Sequence, residues 1–216
     1  MLDKNKNTII FDFGNVLINL DFERFFLMFE EILNVDWSER KLPQPILNAV
    51  HKYDRGHISD EFLISAFQNY NSSADPGDIK KAWNSLIGAM PPKRFEMLNN
   101  LSVDYNLCIL SNINNLHLNN IIKYFKKEYR LLDFEDKYFD RVFYSHIIGK
   151  RKPDEEIYKY VTEELEVDPN TILFIDDLPE NIEAAKSNGW HGHVHNPNDE
   201  IVDKIDQYLK TSYVKR

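Results

Sequence analysis

Short apolar runs alternate with helical patterns along this chain, and this alternation restricts the fold more than any other feature of the sequence. The runs fall at residues 8–13, 107–110, 141–145, 171–175 and 190–195. They are rich in β-branched and aromatic residues, which favour strands. Amphipathic helical patterns follow at residues 116–127, 154–165, 180–188 and 200–209. Strands joined by helices pair in parallel through right-handed crossovers, so the sequence predicts an α/β fold with a doubly wound parallel sheet.

The interval between the first two predicted strands is too long for one crossover. About ninety residues separate positions 13 and 107, whereas a whole crossover can be as short as ~12 residues. Its aromatic residues are spaced to pack together in a small helical bundle. The helical patterns cover residues 22–33, 45–53, 60–70, 78–86 and 93–101, the last returning to the sheet. We therefore predict an inserted helical domain at residues 18–90 and a sheet domain formed by residues 1–17 and 91–216.

Composition limits the partners that this chain can have. The 216 residues carry a formal net charge of -9, which repels nucleic acids and anionic membranes at long range. No apolar stretch approaches the ~20 residues needed to span a bilayer, and the first residues lack the apolar segment of a secretory signal. We expect a cytoplasmic protein, a monomer or small homo-oligomer, that binds neither nucleic acid nor membrane.

The first apolar run ends at a carboxylate, Asp12, just before a Gly14-Asn15 turn. Ligands of open α/β sheets bind at the carboxyl ends of the strands, which places Asp12 where chemistry occurs. An Asp in a loop often caps the next helix instead. Three further strand ends favour the interpretation of Asp12 as a nucleophile.

The second and third strands are followed by groups that bind oxyanions. Ser111-Asn112 offers a hydroxyl and backbone N–H groups, although such a pair is also a routine helix cap. Lys152 precedes Pro153, which suits the first turn of the next helix. A lysine held at that helix start acts as a point charge on phosphate, whereas most lysines in charged loops are solvated.

The fourth strand ends in two adjacent carboxylates, Asp176 and Asp177. They repel each other unless a cation neutralises them, and Mg²⁺ prefers hard oxygen ligands close to a substrate phosphate. One of the two also suits the cap of the helix that begins near Pro179.

Together these four strand ends supply a carboxylate, a hydroxyl with amides, an ammonium and an acidic pair. Phosphoryl transfer through an aspartyl-phosphate needs this set of groups. In that chemistry Asp12 attacks phosphorus, Mg²⁺ offsets the repulsion between anions, and Lys152 with Ser111 stabilises the charge on the phosphoryl oxygens.

The same four segments resemble the haloacid dehalogenase-like hydrolase superfamily over nearly the whole chain. The resemblance implies Asp12 as nucleophile, Ser111 and Lys152 as catalytic phosphate-binding residues, and Asp177 as a ligand of Mg²⁺. Asp176 is then expected to support the metal site. The resemblance also implies a Rossmann-like sheet in the order 5-4-1-2-3 and a helical cap, formed by the insert, that closes over the substrate.

Within the superfamily, several segments look most like bacterial sugar-phosphate phosphatases of the α-D-glucose-1-phosphate phosphatase type. They are Asp12 to Leu17, Asp54 to Ser59, Arg151 to Tyr158, and Asp176-Asp177 with Asn181 to Ala185. The expected ligand is a small phosphorylated molecule. We expect Ser111, Asn112, Lys152 and Asn15 around the phosphate, with Arg55 reaching from the cap. A solvated Arg55 beside a helix-ending Gly56 is an equally good interpretation of that turn.

One position departs from the family pattern. Most family phosphatases carry a second Asp two residues after the nucleophile, whose carbonyl binds Mg²⁺ and whose side chain is the general acid. Gly14 stands there in this chain. Its carbonyl still serves the metal, but the acid is missing. Three outcomes are then open. The substrate has a good leaving group, or turnover is slow or absent. Alternatively, another group donates the proton, with Asp21, His51, Arg55 and His57 as candidates.

Other functions compete with a phosphatase. A phosphomutase or phosphonatase uses the same core residues, and a weakened phosphate-binding protein would explain Gly14. A dehalogenase also forms an aspartyl ester but needs no metal, so the acidic pair argues against it. The alternating His191, His193 and His195 suit either the edge of the last strand or, less well, a Zn²⁺ site.

Overall fold

A five-stranded parallel sheet forms the centre of the molecule, in a computed structural model that describes residues 2–212. Its strands are β1 (Thr8–Phe11), β2 (Asn106–Ser111), β3 (Arg141–Tyr144), β4 (Ile172–Asp176) and β5 (His191–Val194). The order across the sheet is β3-β2-β1-β4-β5. This is the predicted order read from the opposite edge, so the predicted doubly wound, Rossmann-like architecture is confirmed.

Burial along the strands explains why the sequence predicted them. Every residue of β1, β2 and β4 is buried, as is usual for central parallel strands covered on both faces. The edge strands are less buried. Polar side chains such as Arg141 and His193 are tolerated there. His191 and His193 lie in the edge strand β5, as predicted, whereas His195 follows the strand and is buried.

A group of helices separates β1 from β2. The helices are α1 (Phe22–Leu33), α2 (Gln44–Tyr53), α3 (Asp60–Gln68), α4 (Pro76–Asn84) and α5 (Pro92–Leu101). α4 begins two residues earlier than predicted because Asp75 caps it: its Oδ1 accepts from the N–H groups of Gly77 (2.8 Å) and Asp78 (3.1 Å). Pro76 then occupies the first turn, where its missing N–H costs nothing.

The remaining helices follow β2. They are α6 (Asn115–Tyr129), α7 (Phe134–Tyr138), α8 (Ser145–Ile148), α9 (Glu155–Leu165), α10 (Pro179–Ser187) and α11 (Ile201–Ser212), with a 3₁₀ turn at Pro169–Thr171. The short α7 and α8 were not predicted. The placement of Pro153 in the first turn of a helix was wrong, because α9 begins only at Glu155. No helix within residues 2–212 is long and apolar enough to cross a membrane.

Apolar side chains form a separate cluster on each face of the sheet. Ile9, Ile109 and Ile175 belong to one cluster, and Ile10 and Cys108 to the other, as expected from the two-residue period of a strand. A third cluster is built from the helices α1 to α4. Its aromatic residues pack directly, for example Phe29 on Phe67 with ring centroids 4.3 Å apart. The helical insert therefore has a hydrophobic core of its own.

Buried polar contacts join this helical unit to the sheet unit at the start of α6. Asn114 caps α6, and its Oδ1 also accepts from Trp83 Nε1 at 3.2 Å. Its Nδ2 donates to Asp54 Oδ1 at 3.3 Å. The ring of His117 stacks on Trp83 at 4.8 Å, and its Nε2 lies 2.9 Å from the Trp83 carbonyl oxygen. The two units thus meet through specific, desolvated hydrogen bonds.

His117 makes the stability of this junction sensitive to pH. Burial lowers the pKa of His117 to about 4. The unfolded chain binds this proton below pH ~6.5, so stability is lost as the pH falls from 6.5 to 4, by up to roughly 3 kcal/mol. We expect urea unfolding to show this loss in the wild type and not in His117→Gln. Parallel pH dependence of the unfolding free energies of the two proteins would contradict the assignment.

Candidate active site

Asp12 lies directly after β1, at the carboxyl edge of the sheet between β2 and β4. Its side chain is 12% exposed, and its Oδ1 accepts from the Phe13 N–H at 2.7 Å. Burial, together with Asp176 and Asp177 nearby, raises the pKa of Asp12 to about 7, although Lys152 opposes the shift. A bound cation would favour the ionised form. The Asp12 carboxylate is therefore mostly buried, with a small exposed surface at the carboxyl edge of the sheet.

Lys152 brings a buried ammonium to this carboxylate. Its Nζ lies 2.8 Å from Asp12 Oδ1 and 2.7 Å from Asp176 Oδ2, and donates to the Leu110 carbonyl oxygen at 2.9 Å. The residue is only 1% exposed. Burial lowers the pKa of Lys152, but the two carboxylates raise it by more, so the ammonium stays charged. The Lys152 ammonium therefore neutralises only part of the negative charge that Asp12, Asp176 and Asp177 can carry.

Asp176 is held from several directions at the end of β4. Asn181 Nδ2 lies 2.9 Å from Oδ1 and 3.0 Å from Oδ2, and the Leu178 N–H donates to Oδ1 at 2.8 Å. Asp176 is fully buried. With Lys152 as a further donor, its lone pairs are largely occupied, which suits a supporting residue better than a metal ligand. Asn181 was not among the predicted site residues, although its spacing after the acidic pair places it in the first turn of α10.

Asp177 follows Asp176 and is more exposed to the site. Asn15 Nδ2 donates to its Oδ2 at 2.8 Å. Burial raises the pKa of Asp177, and the repulsion from Asp176 adds to the shift. Asn15 has a left-handed backbone with φ of 56°, a conformation that Asn tolerates better than most residues. We predicted Asn15 beside the phosphate; its amide in this structure holds Asp177.

The loop after Asp12 places Gly14 close to Leu20. Gly14 bridges Ile18, and a Cβ on Gly14 would lie 2.9 Å from Leu20 Cδ1, the flexible end of a side chain. The buried Arg94 donates to the Leu17 carbonyl oxygen at 3.0 Å and pairs with Glu200 at 2.9 Å. These contacts fix the loop over the end of the sheet.

Ser111 and Asn112 lie at the end of β2, next to the site. Ser111 is the last residue of the strand and is 3% exposed. The side-chain amide of Asn112 pairs with the main chain of Lys152: Nδ2 donates to the carbonyl oxygen at 2.9 Å, and Oδ1 accepts the N–H at 2.9 Å. Asn112 therefore reaches Lys152 across the loop.

The turn after α2 rests on the loops of the sheet unit. Arg55 forms an ion pair with Asp154, two residues after Lys152, and donates to the His51 carbonyl oxygen at 3.2 Å. Gly56 has φ of +68°, and a Cβ there would lie 2.2 Å from the His146 carbonyl oxygen. Only glycine allows this close approach. α2 ends at Tyr53, so Gly56 belongs to the turn that contacts the sheet unit.

The donor set of this edge fits a divalent cation. Within residues 2–212, Asp12, Asp176 and Asp177 form the only group of His, Cys or acidic side chains that could share a metal ion, with ligand atoms within 4.8 Å of one another. Carboxylate oxygens suit Mg²⁺. The histidines of β5 are engaged elsewhere, since His193 stacks on Tyr208 of α11 at 4.8 Å.

The fold and this site define an α/β protein with a cluster of carboxylate side chains at the carboxyl ends of its strands. The chain belongs to the haloacid dehalogenase-like hydrolases, because that family model matches residues 6–189. The resemblance read from the sequence is thereby confirmed.

Curated relatives include sugar-phosphate phosphatases. The chain is 24% identical over 184 residues to a D-ribitol-5-phosphate phosphatase of Bacteroides thetaiotaomicron, covering 84% of this chain and 88% of the relative. It is 42% identical over 73 residues to a phosphorylated carbohydrates phosphatase of Thermotoga maritima, covering 32% of this chain and 33% of the relative.

Solved structures of the same family are also similar. A wild-type enzyme of Bacteroides thetaiotaomicron, in complex with magnesium and inorganic phosphate, superposes with a TM-score of 0.79 at 26% identity, covering 90% of this chain and 96% of the other. A HAD-like family hydrolase of Porphyromonas gingivalis superposes with a TM-score of 0.79 at 25% identity, covering 95% and 98%. The first of these structures contains magnesium, and the Asp12, Asp176 and Asp177 group of this chain could hold a divalent metal.

Proposed function

We propose that this chain is a Mg²⁺-dependent phosphatase of small phosphomonoesters that works through an aspartyl-phosphate on Asp12. The observation that carries the proposal is the convergence of Asp12, Lys152 and Asp177 at one edge of the sheet, with ion pairs of 2.8 and 2.7 Å from Lys152 to Asp12 and Asp176. The hydrolase family and its phosphatase relatives support the same reaction.

The residues divide the work in two steps. A carboxylate oxygen of Asp12 forms a bond to phosphorus while the bond to the leaving-group oxygen breaks; water then cleaves the new bond and releases phosphate. Lys152 and Ser111 stabilise the phosphoryl oxygens. Asp12, Asp177 and the Gly14 carbonyl would hold Mg²⁺, which supplies charge neutralisation between the two anions. Asp176 orients Lys152 from below.

We infer that the leaving group is a sugar or sugar alcohol. A groove of about 640 Å³ adjoins Asn15, and its lining is mostly polar, with Asn19, Asn198, Asp199 and the half-exposed Phe22. Such a surface suits hydroxyl groups and the apolar face of a sugar. The names of the relatives point to the same substrate class.

We propose that the helical unit, residues 18–90, is the cap of this site. The sheet domain beneath it then consists of residues 1–17 and 91–216. Its own hydrophobic core supports this division. Arg55, paired with Asp154 next to the Lys152 segment, is proposed to contact the substrate when that ion pair rearranges.

A substrate panel tests the function. We expect phosphate release from sugar phosphates in Mg²⁺, with little from phosphonates or 2-haloacids, and loss of release in EDTA that added Mg²⁺ restores. Tight phosphate binding without turnover on any substrate would favour the weakened binding protein instead. Turnover that persists in EDTA would contradict the proposed metal dependence.

The glycine at position 14 leads to a prediction about which leaving groups the protein can protonate. Gly14 offers no side-chain proton donor, so alkyl phosphates, the proposed sugar-alcohol phosphates among them, should turn over more slowly than aryl phosphates, which have better leaving groups. Gly14→Asp should raise kcat for alkyl phosphates by about 10²-fold, the lower end of the effect of a placed general acid. Leu20 needs only to rotate its side chain away. Gly14→Asn is the matched control, since it has the same shape without the proton; an equal gain in that variant would contradict the explanation.

A further inference from the structure

Asn112 makes an unusual pair of contacts for a residue beside a phosphate site. Both halves of its amide are bonded to one residue, Lys152: Nδ2 to the carbonyl oxygen at 2.9 Å and Oδ1 to the N–H at 2.9 Å. The two bonds close a ring between side chain and main chain, which fixes the position and the direction of the Lys152 backbone.

Lys152 needs such a fixation because it lies between α8 and α9, outside any regular element. Its ammonium is bound to β2 as well, through the Leu110 carbonyl oxygen at 2.9 Å. Leu110 therefore holds the ammonium of Lys152 and Asn112 holds its main chain, both from the end of β2. The distance from the ammonium to Asp12 is set by β2, which is also hydrogen-bonded to β1.

A direct role on phosphate competes with this arrangement. To turn toward a phosphate oxygen, the Asn112 amide would have to break one or both bonds to Lys152. The N–H and the carbonyl oxygen of Lys152 would then lose their side-chain partners, which opposes such a rotation.

We propose that Asn112 is a positioning residue that acts through Lys152: its side chain sets the place of the ammonium relative to Asp12 and does not itself bind the phosphate. The inference rests on the proposed function for its catalytic consequence, while the positioning of Lys152 is testable without turnover. A displacement of ~1 Å at a catalytic group can cost ~10²-fold in rate, so the effect is measurable.

Chemical labelling tests the positioning directly. Metal-free and phosphate-free protein is treated briefly with an amine-methylating reagent, and each lysine is quantified by peptide mass spectrometry. Lys152 is 1% exposed and should be protected in the wild type. We expect Asn112→Ala to increase its labelling several-fold, while the neighbouring Lys150 reacts equally in both proteins. Unchanged protection of Lys152 in folded Asn112→Ala would overturn the proposal.

Ser145→Ala is the matched control for general loosening of the loop. Ser145 Oγ makes two hydrogen bonds to Ile113, accepting from its N–H at 3.0 Å and donating to its carbonyl oxygen at 3.1 Å. The control thus removes the same number of bonds one residue further along. Protection of Lys152 should survive it; equal exposure of Lys152 in both variants would overturn the specific role of Asn112.

A double-mutant cycle tests the catalytic consequence with an aryl phosphate and Mg²⁺. Asn112→Ala should lower kcat by roughly 10- to 10²-fold in the wild-type background and by less than ~3-fold in Lys152→Ala. If the kcat losses of the two single variants multiply in the double variant, Asn112 acts independently of Lys152, and the proposal is contradicted. A wild type without phosphatase activity would refute the proposed function alone, because the labelling result does not depend on turnover.

Discussion

Asp12→Asn is expected to lower kcat for every phosphomonoester by roughly 10⁴-fold or more, the scale of loss when a nucleophile is removed from an enzyme. The amide has nearly the shape of the carboxylate but does not attack phosphorus. Continuous assay of phosphate release at saturating Mg²⁺ measures the loss. Substrate affinity should change far less, because Lys152 and Ser111 remain.

The same variant should stay folded, which separates chemistry from stability. The folded-state pKa of Asp12 is raised to about 7, above the ordinary value of 3.8, so its ionisation opposes folding as the pH rises through this window. We expect Asp12→Asn to match or exceed the wild-type Tm at pH 8 in EDTA. A large drop in Tm would mean that the lost activity reports unfolding, and near wild-type kcat would exclude Asp12 as the nucleophile.

Lys152→Met is the second large prediction, and it affects both folding and activity. The substitution keeps most of the side-chain volume but leaves Asp12 and the fully buried Asp176 without their ammonium. Breaking a buried ion pair on one side costs about 3–5 kcal/mol, and we expect a loss of this size in the free energy of unfolding in EDTA at pH 7.5. Phosphate release from an aryl phosphate should fall by roughly 10³-fold, a loss that leaves a measurable rate.

Mg²⁺ and a neighbouring lysine provide the controls for this prediction. Mg²⁺ should recover part of the lost stability, because a cation on Asp12 and Asp177 replaces some of the missing charge. Lys150→Met should cost little, since Lys150 only approaches the exposed Glu156 at 3.7 Å. Equal stability of Lys152→Met and the wild type would contradict the electrostatic account of the site.

The fold followed from the sequence because its signals are local and redundant. Central parallel strands must be apolar on both faces, so β1, β2 and β4 appear as uninterrupted apolar runs. Parallel pairing then forces their carboxyl ends to one edge. This is why the sequence alone places residues as distant as Asp12, Lys152 and Asp176 together.

The hydrogen-bonding partners within the site could not be predicted in the same way. Asn15, Asn112 and Asn181 each direct an amide at a charged residue or its backbone, at Asp177, Lys152 and Asp176 respectively. Amide direction depends on rotamer and loop geometry, which residue spacing does not specify. The placement of Pro153 in a helix failed for the same reason: residues 152 and 153 form a turn, in which the Asp154 N–H donates to the Arg151 carbonyl oxygen at 3.0 Å, and α9 begins only after it.

Trapping the phosphorylated enzyme tests the central claim most directly. Acid quenching of wild-type protein during turnover, followed by borohydride reduction and peptide mass spectrometry, converts an aspartyl-phosphate to homoserine. We predict homoserine at position 12, dependent on both substrate and Mg²⁺ and absent in Asp12→Asn. Phosphate release by a protein whose Asp12 is never modified, or a phosphoryl group trapped on another residue, would contradict the mechanism.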